Sequence, residues 1–182
     1  LMKSFSIAGD VEAARECLRE IRSVGLEPDL YTFNAMLMTH WRAGDVAGAL
    51  ALFEEIQCDP SVSPNFITYN ILLNACASHR PPLQQEVRAL VADMHANGVE
   101  ASERTFTARI KLHGNLGDAA AVQEVWEQAC SELKPGEGWD MVHAARVVAL
   151  AASVERNNGD LARMEAQLNT ANKALDEMTH YI

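Results

Sequence analysis

Apolar residues recur at intervals of three and four along short segments of this 182-residue chain. The segment from 30 to 56 contains two such sets, one on each side of the tripeptide Ala43-Gly44-Asp45. Each set follows the 3.6-residue period of a helix that buries one face. The pattern predicts two antiparallel helices, the first marked by Phe33, Met36, Leu37, His40 and Trp41, and the second by Val46, Ala49, Leu50, Leu52, Phe53 and Ile56.

The Ala43-Gly44-Asp45 tripeptide predicts how the first helix ends and how the second begins. Glycine is favoured just after a helix, where the chain turns through left-handed backbone angles. Aspartate is favoured at the N-cap, where its carboxylate accepts a hydrogen bond from an amide of the first helical turn. The same three residues occur at Ala8-Gly9-Asp10, so we expect the same turn there.

Three sequence markers recur in phase, which indicates an internal repeat. The tetrapeptide 31–34 recurs in related form at 67–70 and 104–107, at spacings of 36 and 37 residues. A Pro-Asp or Pro-Asn pair, Pro28-Asp29 and Pro64-Asn65, stands before two of the units. Gly-Asp separates the helices of a pair at Gly9-Asp10, Gly44-Asp45, Gly117-Asp118 and Gly159-Asp160.

Arg80-Pro81-Pro82 stands where one more Gly-Asp is expected. Proline is tolerated at the first helical position because its missing N–H would have no partner there. We therefore expect a proline of this segment to begin the second helix of its pair.

The markers divide the chain into stacked helix pairs. A single pair cannot bury its own apolar face, so neighbouring pairs stack and share a core. We predict an all-α fold, a solenoid of antiparallel helix pairs that forms one domain over residues 1–182. Its units are a partial one at 1–29, then 30–65, 66–102, 103–136 and a divergent pair at 139–178. Leu1 falls inside a first helix by this phase, so we expect further sequence upstream of it.

Composition excludes several classes of protein. With 48% hydrophobic and 22% charged residues, the chain is ordered and globular. No apolar run reaches the roughly 20 residues that a membrane-spanning helix needs. The four cysteines lie far apart, which predicts buried thiols in a reducing compartment rather than a disulfide framework or a zinc site: Cys17, Cys58, Cys76 and Cys130.

The formal net charge of −10 argues against a protein that binds nucleic acid through a general basic surface. The charges are unevenly distributed, because acidic residues concentrate on the second helices, where a solvated outer surface accounts for them. First helices of such a solenoid face its concave side, so we expect the groove to be less acidic than the outer side. The basic residues of the first helices are Lys3, Arg42, Arg104, Arg109 and Lys111.

The sequence contains no pattern typical of a catalytic site. It has no Gly-rich phosphate loop, no H-E-x-x-H and no carboxylate cluster with metal-ligand spacing, and its six histidines are scattered. We predict no enzyme activity, no cofactor and no metal site. The tryptophans are expected to be packing residues.

The unit from Leu30 to Asn65 resembles the pentatricopeptide repeat family. The resemblance lies in Tyr31-Thr32-Phe33-Asn34 near the start of the first helix, in Ala43-Gly44-Asp45, in the second helix around Ala49 to Ile56, and in the closing Pro64-Asn65. It extends to the next two units and weakens in the divergent pair. It implies a right-handed superhelix that binds single-stranded RNA with one base per repeat, usually in mitochondria or chloroplasts.

The resemblance also implies which residues recognise the bases. Asn34 with Asn65 would recognise one base and Asn70 with Ser102 the next, both pyrimidines, whereas Thr107 would recognise a purine with a partner near 134–136. An amide offers a donor and an acceptor to a base edge. Residues that sandwich the bases would be Tyr31, Ile67 and Arg104, and Arg42 would contact a phosphate. The alternative role for Asn34 and Asn70 is to satisfy amides in the N-terminal turns of their helices.

Two functions are consistent with these features. The first is an RNA-binding protein of organellar gene expression, acting in RNA processing, stability or translation on an organellar mRNA or rRNA. The alternative is a structural or assembly subunit of a ribonucleoprotein such as the mitochondrial ribosome, whose partners are mainly other protein subunits. The expected location is the mitochondrion, with the chloroplast as the other choice.

Overall fold

The computed structural model describes residues 10–133, together with Val142, Ala145, Arg146, Ala149 and Asn169. This part of the chain contains α-helices and no strand. The helices are α1 (Val11–Ser23), α2 (Leu30–Arg42), α3 (Val46–Cys58), α4 (Phe66–Ser78), α5 (Gln84–Ala96), α6 (Glu103–Leu116) and α7 (Ala119–Glu132).

The helices form pairs that stack in chain order. The first helix of each pair packs on its own second helix, α2 on α3, α4 on α5 and α6 on α7, and the first helices α2, α4 and α6 pack side by side in one layer. The predicted all-α solenoid of helix pairs is therefore confirmed. The segment before residue 10 lies outside the described residues, and so does the divergent pair expected at 139–178, apart from the five residues named above.

The turns within the pairs form as the sequence predicts. Gly44 and Gly117 have φ of 73° and 75°, in the left-handed region. Asp45 then caps α3 by accepting a hydrogen bond from the Gly48 amide at 2.9 Å, and Asp10 and Asp118 cap α1 and α7 in the same way. The other carboxylate oxygen of Asp45 lies 2.8 Å from Nδ1 of the buried His40, so the turn is fastened to the end of α2 as well.

Helix α4 lies at the centre of the packed layer. It is flanked by α2 and α6 and backed by α3 and α5, and its residues 68–73 and 75–77 are buried, apolar and polar alike. Small side chains at Ala75, Cys76 and Ala77 allow its neighbours to approach closely. Burial raises the pKa of the Cys76 thiol to about 12, with the charge of Glu86 adding to the effect. Cys76 is therefore a packing residue that stays protonated.

Tyr69 ties the two layers together at this point. Its ring packs edge-on against Phe53, with 5.6 Å between ring centroids. Its hydroxyl donates to the Asp93 carboxylate at 2.7 Å, and that carboxylate also accepts from Gln57 Nε2 at 3.0 Å. Helices α3, α4 and α5 thus share one hydrogen-bonded group.

Two expectations about this part of the chain are wrong. Neither Pro81 nor Pro82 begins a helix, because α5 starts at Gln84 and Leu83 occupies its N-cap without a side-chain hydrogen bond. The longer turn leaves α5 with little contact to α6, whereas α1 and α3 both pack against the first helix that follows them. Among the cysteines only Cys17 and Cys76 are buried, since Cys58 and Cys130 lie on the outer faces of their helices.

None of the described helices combines the length and the apolar character that crossing a bilayer requires. The described residues also contain no group of three or more His, Cys, Asp or Glu side chains arranged to hold a metal ion.

Replacing Asp45 with alanine should lower the free energy of unfolding by about 1–2 kcal/mol, because the N-cap hydrogen bond to α3 is lost. Urea denaturation at neutral pH measures the change.

The pKa of Asp45 lies below its ordinary value of 3.8, mainly because the carboxylate accepts a hydrogen bond from the Gly48 amide. A carboxyl group of this kind stabilises the fold above its unfolded-state pKa and loses that effect as the pH falls through the folded value. The difference between D45A and wild type should therefore shrink below pH 3.8.

Glu54→Ala is the matched control, since Glu54 is an exposed acid of the same helix with no hydrogen bond or ion pair among the described residues. It should change the unfolding free energy by no more than about 0.5 kcal/mol. An Asp45→Ala effect that is equally small, or that persists undiminished at low pH, contradicts the capping role.

Candidate functional site

The candidate residues of the first helices occupy equivalent positions. Tyr31, Ile67 and Arg104 are each the second residue of α2, α4 and α6, and all three are exposed. Asn34, Asn70 and Thr107 are each the fifth residue of the same helices. The segments 59–65 and 79–83 lie outside these helices, so the different lengths of the units, 36 and 37 residues, leave this register unchanged. The first-helix layer therefore presents the same pair of positions three times.

Asn34 and Asn65, the first predicted pair, are brought together by a third residue. Thr68 Oγ1 donates to Asn34 Oδ1 at 2.8 Å, and the same hydroxyl accepts from the backbone amide of Asn65 at 3.2 Å. The Asn65 side chain is the N-cap of α4, because its Oδ1 accepts from the amides of Ile67 and Thr68. Asn65 therefore lies beside Asn34 but has its side-chain oxygen committed to the helix.

The second predicted pair forms the same arrangement one unit further along. Thr105 Oγ1 donates to Asn70 Oδ1 at 3.2 Å and accepts from the Ser102 amide at 3.1 Å. Asn70 Nδ2 in turn lies 3.4 Å from Ser102 Oγ. Asn70 is more enclosed than Asn34, since only 7% of it is exposed and Asn34 is half-buried.

These contacts show that Asn34 and Asn70 do not satisfy amides of their own helices. Each instead accepts a hydrogen bond from a threonine in the first turn of the next first helix. The amide oxygen is thereby occupied, whereas Nδ2 of Asn34 makes no hydrogen bond within residues 10–133. Asn34 is therefore left with two N–H donors for a group that approaches the layer.

The third member of the series differs from the other two. The Thr107 hydroxyl donates to the Glu103 carbonyl of its own helix at 2.8 Å. Its expected partner near 134–136 lies outside the described residues. Asp29 holds the position before α2 that Asn65 and Ser102 hold before α4 and α6. The pKa of Asp29 is lowered because its carboxylate accepts hydrogen bonds from the Thr32 hydroxyl and amide, so it is ionised at neutral pH.

An open groove of about 370 Å³ on this face is lined by residues of α2, α4 and α6, and we call it the first-helix groove. Three of the predicted residues line it, namely Ile67, Asn70 and Arg104. The other lining residues were not predicted from the sequence. They are Met38, Trp41, Phe66, Ile71 and Asn74. Phe66 at the start of α4 and the half-buried Trp41 look like ordinary packing residues in a sequence.

Two positive charges of the layer, Arg42 and Lys111, lie at the C-terminal ends of α2 and α4. Arg42 is the last residue of α2 and is exposed. Ser78 ends α4 at the equivalent position, and Lys111 of α6 reaches it, with 2.8 Å between Nζ and Ser78 Oγ. Lys111 thus supplies a cation where α4 has none of its own. The sequence could not indicate this, because the contact joins residues of two different helices.

The family model described as "Pentatricopeptide repeat domain" matches residues 1–40 and 16–79. A chloroplastic pentatricopeptide repeat-containing protein of Arabidopsis thaliana is 21% identical over 134 residues, which cover 72% of this chain and 17% of the relative. The chloroplastic PPR5 homolog of Oryza sativa subsp. japonica is 34% identical over 73 residues, which cover 38% of this chain and 15% of that protein. The chain thus spans less than a fifth of either relative.

Solved structures share the fold. The crystal structure of the pentatricopeptide repeat protein PPR10 from maize superimposes with a TM-score of 0.70 and 21% identity over 96% of this chain and 25% of that one. PPR10 in complex with an 18-nt psaJ RNA element superimposes with a TM-score of 0.63 and 18% identity, over 93% of this chain and 28% of that one. The PPR domain of Arabidopsis thaliana protein-only RNase P 1, in complex with tRNA, gives 0.67 and 19%, over 99% of this chain and 94% of that domain.

Replacing Thr105 with valine tests whether the threonine holds neighbouring repeats together. The substitution keeps the shape of the side chain but leaves Asn70 Oδ1 and the Ser102 amide without this partner in a buried site. The expected cost is about 1–3 kcal/mol of unfolding free energy. Thr39→Val is the control, because the Thr39 hydroxyl is equally buried but donates only to the Ala35 carbonyl of its own helix. Equal losses in the two variants, measured by urea denaturation, would show that the contact between repeats contributes nothing of its own.

Proposed function

Because this chain belongs to the pentatricopeptide repeat family, we propose that it binds single-stranded RNA along the layer formed by α2, α4 and α6. Successive bases are recognised by Asn34 with Asn65 and by Asn70 with Ser102. A third base is recognised by Thr107. The observation that carries the proposal is the repetition of one polar and one exposed position at equal register on all three first helices.

The hydrogen bonds of the asparagines determine whether they donate to a base or accept from it. The threonine of the next helix occupies Oδ1, so the amide faces an incoming base with its N–H groups. A base must then offer an acceptor on its edge, which every base does, so the preference for pyrimidines rests on the family resemblance. Asn65 and Ser102 form one side of the space that each base enters, since each is the N-cap of the following first helix.

The exposed second residues are placed to sandwich the bases. Tyr31 and Ile67 are 66% and 43% exposed, and Arg104 follows at the same register on α6. A base at Asn34 lies between Tyr31 and Ile67, and a base at Asn70 lies between Ile67 and Arg104. Aromatic and guanidinium groups both stack on bases.

The charge of the chain limits how it binds. The described first helices carry Arg42, Arg104, Arg109 and Lys111 against Glu103, whereas acids predominate on α3, α5 and α7. Only Arg42 and Lys111 are placed to contact the phosphates of this strand, so counterion release contributes little. We propose that stacking and amide hydrogen bonds supply most of the affinity, and that binding depends only weakly on salt.

The relatives support this assignment and the cellular setting. PPR10 and the PPR domain of protein-only RNase P 1 share the fold and are both described in complex with RNA. Two of the sequence relatives are named as chloroplastic. We propose a role in organellar gene expression, in RNA processing, stability or translation, and these names favour the chloroplast over the mitochondrion.

Exchanging the recognition residues should change which base is preferred at one position at a time. Asn70→Thr keeps a hydrogen-bonding group that Thr107 shows to be tolerated at this register, and it should move one position of the bound sequence from a pyrimidine to a purine. Asn34→Thr should do the same at the adjacent position. The measurement is selection from a random RNA pool with sequencing of the bound fraction, carried out on the full chain.

Asn97→Thr provides the matched control, because Asn97 is an exposed asparagine at the end of α5, outside the first-helix layer. It should leave the selected sequence unchanged. Selection of no sequence by wild type, or of one sequence by wild type and both variants alike, would overturn the proposal.

Removing the aromatic ring of Tyr31 should weaken RNA binding without changing base preference. Stacking contributes about 1–3 kcal/mol per base, so Tyr31→Ala is expected to raise Kd by roughly 5- to 150-fold in a fluorescence titration. Tyr31→Phe keeps the ring and should stay within about twofold of wild type. A Tyr31→Ala variant that binds as wild type would show that the base does not stack on this residue.

A further inference from the structure

A second groove lies between the second helices α5 and α7 and is also lined by α6, and we call it the outer groove. At this point of the stack α5 makes little contact with α6, whereas α1 and α3 pack against the first helices that follow them. Its volume is about 550 Å³. Val87, Val91, Leu112 and Val125 contribute apolar surface to it.

The neighbouring second helices are joined across their grooves, but α5 and α7 are not. Arg22 of α1 forms an ion pair with Glu55 of α3, and Gln57 of α3 donates to Asp93 of α5. No hydrogen bond or ion pair joins α5 to α7 among residues 10–133. Open grooves also lie between α1 and α3 and between α3 and α5, but each of those two is bridged by a polar pair, whereas no such pair among residues 10–133 bridges the outer groove.

Three of the side chains that line the outer groove are donors without an acceptor. Arg88 of α5 and Arg109 of α6 make no hydrogen bond or ion pair with any described residue, although Arg109 lies over the Phe106 ring at 5.6 Å. Nδ1 of His113 is buried and has no hydrogen-bond partner. Burial lowers the pKa of Arg109, with the charge of Glu132 partly opposing the effect. Desolvation of the Arg109 guanidinium costs free energy, and a carboxylate bonded directly to it would recover part of that cost.

The charges within the outer groove are arranged on opposite walls. Arg88 and Arg109 belong to the α5 and α6 side, whereas Asp118 and Glu124 belong to α7. Asp118 is already engaged as the N-cap of α7. Burial lowers the pKa of His113, and both arginines add to that effect while Asp118 and Glu124 oppose it, so the imidazole is neutral at pH 7. A neutral imidazole can place its proton on Nδ1 and donate to an acceptor.

We propose that the outer groove is a docking site for a segment of a partner protein in which an apolar side chain lies next to a carboxylate. The apolar side chain packs against Val91 and Leu112, and the carboxylate pairs with Arg109 and Arg88. A polyanion such as RNA is disfavoured because Glu124, Glu127 and Glu132 line the adjoining helix α7. A small free anion would leave the apolar surface uncovered. A short segment covers the apolar surface and brings only one carboxylate, which lies at the arginines and away from the acids of α7.

The proposal is tested by selecting phage-displayed random dodecapeptides on the full chain, with counter-selection on an Arg88→Gln/Arg109→Gln variant. Enriched peptides should carry Asp or Glu beside Leu, Ile, Val or Phe. In titrations with the synthetic peptides, Arg109→Gln should raise Kd about tenfold or more, as expected for a lost hydrogen bond to a charged group. Replacing the Asp or Glu of the peptide with Asn or Gln should raise Kd to a similar extent.

Controls separate this site from the RNA-binding layer and from general charge effects. Arg19→Gln removes an arginine from another second helix and should leave peptide Kd unchanged, as should Asn34→Thr/Asn70→Thr. The groove variant should keep wild-type RNA binding and thermal stability. The proposal is overturned if no peptide is enriched, if the peptides bind every variant alike, or if the Arg88→Gln/Arg109→Gln variant loses RNA binding instead, which would make the groove a phosphate-binding surface.

Discussion

The hydrogen bond from a threonine hydroxyl to the asparagine of the preceding unit sets the geometry of the first-helix layer. Thr68 and Thr105 are each the third residue of a first helix, and each also accepts the amide of its own N-cap residue. The third residue of one first helix is thus bonded to the fifth residue of the first helix before it. This bond restricts how far the two helices can slide along each other. Apolar packing alone does not impose such a register, because dispersion and burial are not directional. This contact therefore keeps Tyr31, Ile67 and Arg104, the second residues of the three first helices, in the same register along the layer.

If the asparagines recognise bases as we propose, the same contact lets one residue serve both stability and recognition. An asparagine amide has an oxygen and a nitrogen that bond independently. In Asn34 the fold uses the oxygen and leaves the nitrogen for a ligand, so a ligand need not break a bond between repeats. Asn70 follows the same arrangement in a tighter setting, because Ser102 lies 3.4 Å from its nitrogen. Loss of either threonine would therefore affect the layer even where no ligand is bound.

Features that depend on neighbours in sequence were predictable, and those that depend on contacts between helices were not. Asp45 and Gly44 act within a few residues, so the turn, the cap and the unit boundaries follow from local preferences. The pairing of Asn70 with Ser102 came from the family resemblance, and the structure places the two side by side. The contact of Lys111 with Ser78 and the opening between α5 and α7 involve residues far apart in the chain, and no periodicity encodes them. The proline segment misled the prediction because Pro82 fits a helix start locally, whereas α5 begins at Gln84.

The departure of α5 from the regular stack gives the molecule two different surfaces. Where the repeat is regular, polar side chains pair across each boundary, as Arg22 does with Glu55 and Gln57 with Asp93. At the one boundary among the described residues where the second helices are not joined, Arg88, Arg109 and His113 are left facing a half-apolar groove. Acids on α7 disfavour a polyanion in that groove. The regular layer therefore suits the repetitive ligand proposed for it, and its local interruption suits the single short segment proposed for the outer groove.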